Sequence, residues 1–496
     1  MSFKVAFIGA GSIGFTRQLL TDLMSVKKFH NIEVAFTDIN AENLRMVTEL
    51  CQRDLDENGV NIKIQSTLDR REAFKDAKYV FNCVRIGGLE AFQTDVDIPL
   101  KYGVDQCVGD TLCAGGIMYG QRVIAAMLDF CRDMREVARP DVLHLNYSNP
   151  NAMVTWACNK YGKIKTIGLC HGVIHGQEQI AEVLGLEYEE LDVVCAGINH
   201  QTWYLSVKHK GVELKDQLLE GFLNHERFSK EEKVRIDVLK RFGYYSTESN
   251  GHLSEYLAWY RKRPDEIKQW IDLGKWVNGE TGGYLRICTE GRTWFETDFP
   301  NWLKEPAKNY DGSNRGKEHG SYIVEALETG TMYRGHFNVI NNGCITNLPD
   351  DAIVEVPCYV DGNGIAVPQV GDLPMGCAAV CSQSIWVQRL AVEAAVEGNV
   401  ELLKQAALLD PLTGAVCNPP EVWQMIDEML IAQEEWLPQY KDAITEAKKR
   451  WDAGNLIETK ENIGAARLKT KTIDEMNLEK DKMRKIAAAA AKENVE

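Results

Sequence analysis

Short apolar runs recur through the first part of the chain, each followed by a longer stretch in which apolar residues return at helical spacing. The runs fall at 4–8, 33–38, 79–84, 142–146 and 166–169, and the helical patterns include 41–55 and 116–137. Regular alternation of this kind predicts a parallel sheet with helices on both faces. Near Val193 the pattern changes. Segments 193–199 and 203–208 read as strands of a second sheet turned at Lys210-Gly211, and 214–328 reads as mainly helical, rich in Trp, Tyr and charge. A hairpin is predicted from 352–360 and 364–367 around Asp361-Gly362-Asn363-Gly364. Helix returns over 375–451, and 472–496 reads as a charged, alanine-rich exposed helix. No internal repeat is visible.

The first strand runs directly into Gly9-Ala10-Gly11-Ser12-Ile13-Gly14, a Gly-x-Gly-x-x-Gly turn. The first glycine permits the turn and the second lets the backbone approach a pyrophosphate. The third is expected to let the next helix pack closely, with its N-terminal N–H groups aimed at the anion. The second strand ends on Asp38, where an acidic residue meets the ribose hydroxyls of NAD. The N-terminal region is therefore read as a Rossmann-like dinucleotide-binding unit. Its ligands belong beyond the carboxyl ends of the strands, which here carry Gly9, Asp38, Arg85, Asn149 and Cys170. The expected fold is α/β: a Rossmann-like parallel-sheet domain over 1–195, a C-terminal α+β domain with a smaller mixed or antiparallel sheet over 196–470, and a helical tail over 471–496.

Composition narrows the class. A net charge of −16 with no basic stripe argues against nucleic acid as a partner. No apolar segment is long enough for a membrane span, and a strand starting at residue 4 leaves no room for a signal peptide. The chain has 14 cysteines without paired spacing, which predicts reduced thiols and a cytoplasmic location.

The chemistry-bearing residues gather at strand ends. Leu169-Cys170-His171-Gly172 and Ala196-Gly197-Ile198-Asn199-His200 each close a strand with metal-ligating types, although such residues also serve as plain packing. Asn149, ahead of Pro150, suits a group orienting a substrate hydroxyl or a turn bonded to its own backbone. Asp110, in Cys107-Val108-Gly109-Asp110-Thr111, is a candidate carboxylate or part of a turn. The segment from Tyr244 and Tyr245 through Glu248 to His252, Glu255 and Tyr256 offers candidate general bases.

In order along the chain, these motifs resemble glycoside hydrolase family 4, the NAD- and manganese-dependent glycosidases. The likeness runs through Gly109-Asp110-Thr111, Asn146-Tyr147-Ser148-Asn149-Pro150, Gly168-Leu169-Cys170-His171, Ile198-Asn199-His200, Thr247-Glu248-Ser249 and Asn347-Leu348-Pro349. The stretches Val360-Asp361-Gly362-Asn363-Gly364-Ile365 and Ala406-Ala407-Leu408-Leu409-Asp410-Pro411 look most like the α-galactosidase branch. The resemblance implies NAD at Gly9, Gly11, Ser12, Gly14, Asp38, Arg85 and Asn149, and a metal at Cys170 and His200. It implies sugar contacts from Asn149, His171 and Asn199, and catalytic groups among Asp110, His171, Tyr244, Tyr245 and His252. The implied reaction oxidises C3 of the sugar, removes the C2 proton with metal assistance, eliminates the C1 substituent, adds water and re-reduces the ketone. The implied substrate is an α-galactoside, with an α-glucoside or α-uronide of the same family as alternatives. A 2-hydroxy-acid dehydrogenase is the rival from another class. Family members assemble as dimers or tetramers. One departure stands out: serine is typical of α-galactosidases where Gly172 sits, and glycine there is associated with α-uronidases. Read from sequence, that glycine enlarges the pocket.

Overall fold

A computed structural model describes residues 2–460, 462 and 464–493. Strands β1 (Lys4–Ile8), β2 (Glu33–Thr37), β3 (Gln65–Thr67), β4 (Ala77–Asn82), β5 (Leu143–Asn146) and β6 (Thr166–Gly168) lie parallel in the order 3-2-1-4-5-6. This is the doubly wound order of a dinucleotide-binding sheet, with the reversal between β1 and β4. All of β1 is buried, as its unbroken apolar run requires. The short edge strand β3 is polar and largely exposed, so it left no apolar run to find.

The later strands are antiparallel: β7 (Leu191–Ile198), β8 (Gln201–His209), β9 (Val212–Glu213), β10 (Tyr333–Ile340), β11 (Ile353–Asp361) and β12 (Gly364–Ala366). They do not form the separate second sheet that the sequence suggested. β10 joins β6 at Asn338 opposite Gly168, and β11 joins β7 at Glu355 opposite Gly197, so all twelve strands form one sheet. The fusing strand β10, Tyr-Arg-Gly-His-Phe-Asn-Val-Ile, mixes polar and apolar residues and escaped the periodicity reading. One of its polar groups finds a partner inside: His336 Nε2 accepts from the Cys195 N–H at 3.1 Å. The β11–β12 hairpin forms as expected, with Asp361 opposite Gly364.

Helix Met375–Glu397 packs on helix Cys113–Val137, and the main apolar core draws on both halves of the chain. Helix Ile473–Glu493 covers most of the expected C-terminal helix; 494–496 lie outside the described residues. No helix among the described residues is long and apolar enough to cross a membrane, and all 14 cysteines are unpaired.

Candidate active site

The glycine turn sits at the carboxyl end of β1. Gly9 has φ +77°, and a Cβ there would lie 2.8 Å from the Cys83 and Val84 backbone, so no side chain fits. Gly11 donates its N–H to Asp38 Oδ2 at 2.9 Å, and a Cβ on Gly11 would press on the same oxygen. Asp38 Oδ1 accepts from Asn40 N–H at 2.8 Å, which fixes the carboxylate at the end of β2. Helix Ile13–Met24 starts at Ser12 with no side-chain cap, so its first N–H groups are left for an anion. Gly14 departs from expectation: a Cβ there would meet nothing within 4 Å, so close helix packing does not demand this glycine.

From that turn a chain of contacts leads across the sheet end. Val84 O accepts from Ser148 Oγ at 2.8 Å, tying β4 to the segment after β5. Arg85 follows, its guanidinium over the rings of Phe92, Tyr119 and Tyr284, with Nη2 3.9 Å from Asp110 Oδ2. Its buried Nη1 has no partner. Asp110 also accepts from Asn149 Nδ2 and from Thr111 Oγ1, both at 2.9 Å. Thr111 Oγ1 in turn lies 3.0 Å from His200 Nδ1. The glycine turn and the Cys170/His200 region thus share one contiguous polar seam.

The loop carrying Asp110 is held by a residue that the sequence offered only as a candidate general base. Glu255, on helix Asn250–Tyr256, accepts the N–H groups of Cys107, Val108 and Gly109 at 2.6, 2.9 and 3.1 Å. Burial pushes its carboxyl up to about 7.

Cys170 and His200 converge as the spacing allowed. Both meet Glu248: Cys170 Sγ lies 3.3 Å and His200 Nε2 3.2 Å from Glu248 Oε2. One donor atom from each of the three residues falls within 4.8 Å of the other two. The opposite ring nitrogen of His200 faces Thr111 Oγ1 and, at 3.4 Å, the Tyr256 hydroxyl, so Nε2 is aimed at the cluster. His171 bridges two carboxylates, with Nε2 3.7 Å from Glu248 Oε1 and Nδ1 3.4 Å from Glu318 Oε1. Burial works against charge at both partners, yet Glu318 and Glu248 raise His171 to about 9. The imidazoles of His200, His171 and His252 hold Glu248 well below the usual carboxylate range. His252 stacks edge-on to His200 at 4.9 Å, takes Ser249 Oγ on Nδ1 at 2.7 Å, and is lowered to about 4 by burial.

Three expected residues lie elsewhere. Tyr245 is fully buried, its ring stacked on Phe222 and under Arg235 and its hydroxyl on Gln179 Oε1 at 3.0 Å; it is a packing residue. Tyr244 lies beneath Lys215 Nζ at 4.3 Å and makes no contact with the cluster. Asn199 is wholly buried beside Glu355. Glu355 is raised to about 8 by its burial, with Glu248 adding to the shift. Gly172 does not enlarge a pocket: the space above it holds the Glu248 carboxylate, 2.6 Å from where a Cβ would sit. Glu248 stood in a quoted motif, but a lone glutamate in a polar loop gives no sign that it meets a cysteine and a histidine from other strands.

Residues 4–186 match the description Family 4 glycosyl hydrolase, and 195–413 match Family 4 glycosyl hydrolase C-terminal domain. An α-galactosidase of Rhizobium meliloti is 57% identical over 481 residues, covering 97% of this chain and 98% of the relative. A 6-phospho-α-glucosidase from gut microorganisms, solved with NAD and glucose-6-phosphate, superposes with TM-score 0.73 at 26% identity, covering 88% and 99% of the two chains. Another structure of a 6-phospho-α-glucosidase from gut microorganisms, with NAD and Mn2+, shares the fold at TM-score 0.72 and 22% identity over 88% and 99%.

Proposed function

The chain belongs to family 4 of the glycosyl hydrolases, and from that premise we propose that it hydrolyses α-galactosides with NAD and a divalent metal ion, manganese by family resemblance. The observation that carries this reading is the polar seam from the Gly9–Gly11 turn through Arg85, Asp110 and Thr111 to His200 and Cys170. It links a glycine turn suited to a dinucleotide with a cysteine–histidine pair on one sheet end, a pairing that a hydroxy-acid dehydrogenase has no use for.

The residues fit both groups. The cradle offers Gly9, Gly11, the uncapped N–H groups after Ser12 and the fixed carboxylate of Asp38, with Arg85 at the near end of the seam. Cys170 and His200 offer sulfur and nitrogen donors to the ion. When bound, NAD supplies a reversible hydride acceptor and the ion polarises neighbouring sugar oxygens. Asn149 orients a sugar hydroxyl, and Asp110 holds that amide in place. The two histidines are held in opposite protonation states, His171 charged by Glu318 and Glu248 and His252 neutral by its burial. His171, charged, donates a proton near Glu248. His252, neutral with Nδ1 occupied, accepts one at Nε2.

The choice of galactoside over uronide or sugar phosphate rests on the strong likeness to an α-galactosidase. Both cationic side chains described at the site already face carboxylates, Arg85 toward Asp110 and His171 between Glu248 and Glu318. We assign NAD, the sugar contacts Asn149 and His171 and the metal donor Cys170 to residues 1–195, place the metal donor His200 in the substrate- and metal-binding region 196–470, and assign no site to the 471–496 tail. Cytoplasmic residence accords with the unpaired cysteines, and a homodimer or homotetramer with the family. The test is a panel of p-nitrophenyl α-galactoside, α-glucoside, α-glucuronide and α-galacturonide with NAD, Mn2+ and a thiol reductant. Cleavage of the galactoside that stops when either cofactor is removed is expected. Full turnover after exhaustive chelation and cofactor removal overturns the proposal.

A further inference from the structure

We propose that Glu248 is a third protein ligand of the divalent ion, and that Gly172 is the residue that admits it. The inference rests on the metal-dependent reading above. It adds a carboxylate to the cysteine and histidine, and it gives a reason for the glycine after Cys170-His171.

Metal–ligand bonds of about 2.0–2.3 Å place neighbouring donor atoms of one coordination shell about 3–3.7 Å apart. Glu248 Oε2 lies 3.3 Å from Cys170 Sγ and 3.2 Å from His200 Nε2, both within that interval. The carboxylate is also held in place. Ser246 Oγ donates to Thr202 O at 3.0 Å, Thr247 N donates to the same oxygen at 3.0 Å, and Thr202 N donates to Thr247 Oγ1 at 3.2 Å. These bonds fasten the Ser246–Thr247 backbone to β8 two residues beyond His200, so Glu248 and His200 keep a fixed relation. The second carboxylate oxygen, Oε1, faces His171 Nε2 at 3.7 Å, which sets the rotation of the group.

The glycine completes the case. A Cβ at position 172 would lie 2.6 Å from Glu248 Oε2, 3.1 Å from its Cδ and 3.5 Å from Cys170 Sγ. A larger residue and this placement of the carboxylate exclude each other. Gly172 has an ordinary helical backbone at the start of helix Gly172–Leu184, so conformation does not demand glycine there. Space for the carboxylate does. The chemistry also changes: thiolate and imidazole alone suit zinc or iron, and an added carboxylate oxygen shifts the set toward a harder ion such as manganese.

The experiment measures Mn2+ binding by electron paramagnetic resonance to the purified, NAD-loaded full chain, with Zn2+ as competitor. Wild type, Cys170→Ser, Glu248→Gln and Gly172→Ala are compared, and thermal melting and NAD binding check folding. Glu248→Gln is expected to weaken Mn2+ by at least about tenfold and to shift preference toward Zn2+. Gly172→Ala, which removes no donor group, is expected to do the same by displacing the carboxylate. Unchanged Mn2+ affinity in folded Glu248→Gln overturns the inference, and if that variant does not fold, unchanged affinity in Gly172→Ala does so. In either case loss in Cys170→Ser leaves the metalloenzyme reading standing. Failure of the wild type to bind Mn2+ overturns both.

Discussion

The dinucleotide cradle and the metal cluster stand on the same sheet end but are built in different ways. The cradle is local: one strand, one turn and the carboxylate of the adjacent strand, held by Gly11 N–H to Asp38. The cluster is assembled from the turn after β6, the turn between β7 and β8, and the loop carrying Glu248, with Asp110 and Asn149 brought in from two further segments. A local motif announces itself by spacing. A cluster drawn from five segments depends on every element between them.

The sharpest way to break this comparison is at the cluster. Cys170→Ser is expected to cut galactoside hydrolysis by about a thousandfold or more, since a metal ion contributes several kcal/mol to the transition state, while NAD binding persists in a fluorescence titration. Asp38→Ala inverts the pattern. NAD weakens by about ten- to a hundredfold, the worth of a hydrogen bond to a charged group, and Mn2+ affinity stays within about twofold because the sites share no partner. Asn149→Ala strikes the seam between them: kcat/KM is expected to fall about tenfold, with both cofactors still bound in direct titrations.

A smaller effect comes from histidines away from the cluster. Burial lowers His144 and His336 to about 3, whereas an unfolded histidine titrates near about 6.5. The folded values lie below the unfolded one, so stability is complete above about pH 6.5 and is lost as pH falls from there toward 3. Each neutral histidine contributes a slope approaching about 1.4 kcal/mol per pH unit in that window. Calorimetric melting between about pH 7.5 and about pH 5 should show it, and replacing His144, which touches no site residue named here, should flatten the decline. The smallest expected effect is that of Tyr244→Phe, with activity within about twofold of wild type. A large loss would return Tyr244 to the catalytic set.

Sequence alone determined the parallel half of the sheet, the glycine turn with Asp38, the β11–β12 hairpin, and Cys170, His200, Asp110 and Asn149 as the residues to watch. Each belongs to a short motif or a periodic run, where local conformation and burial leave a readable trace. Tertiary structure decided that β10 joins the two halves into one sheet, that Tyr245 packs on Phe222 and Arg235, and that Glu248 fills the space beside Gly172. Those outcomes depend on which distant backbones lie against one another, and no spacing along the chain records the distance between a glycine's missing side chain and a carboxylate 76 positions later.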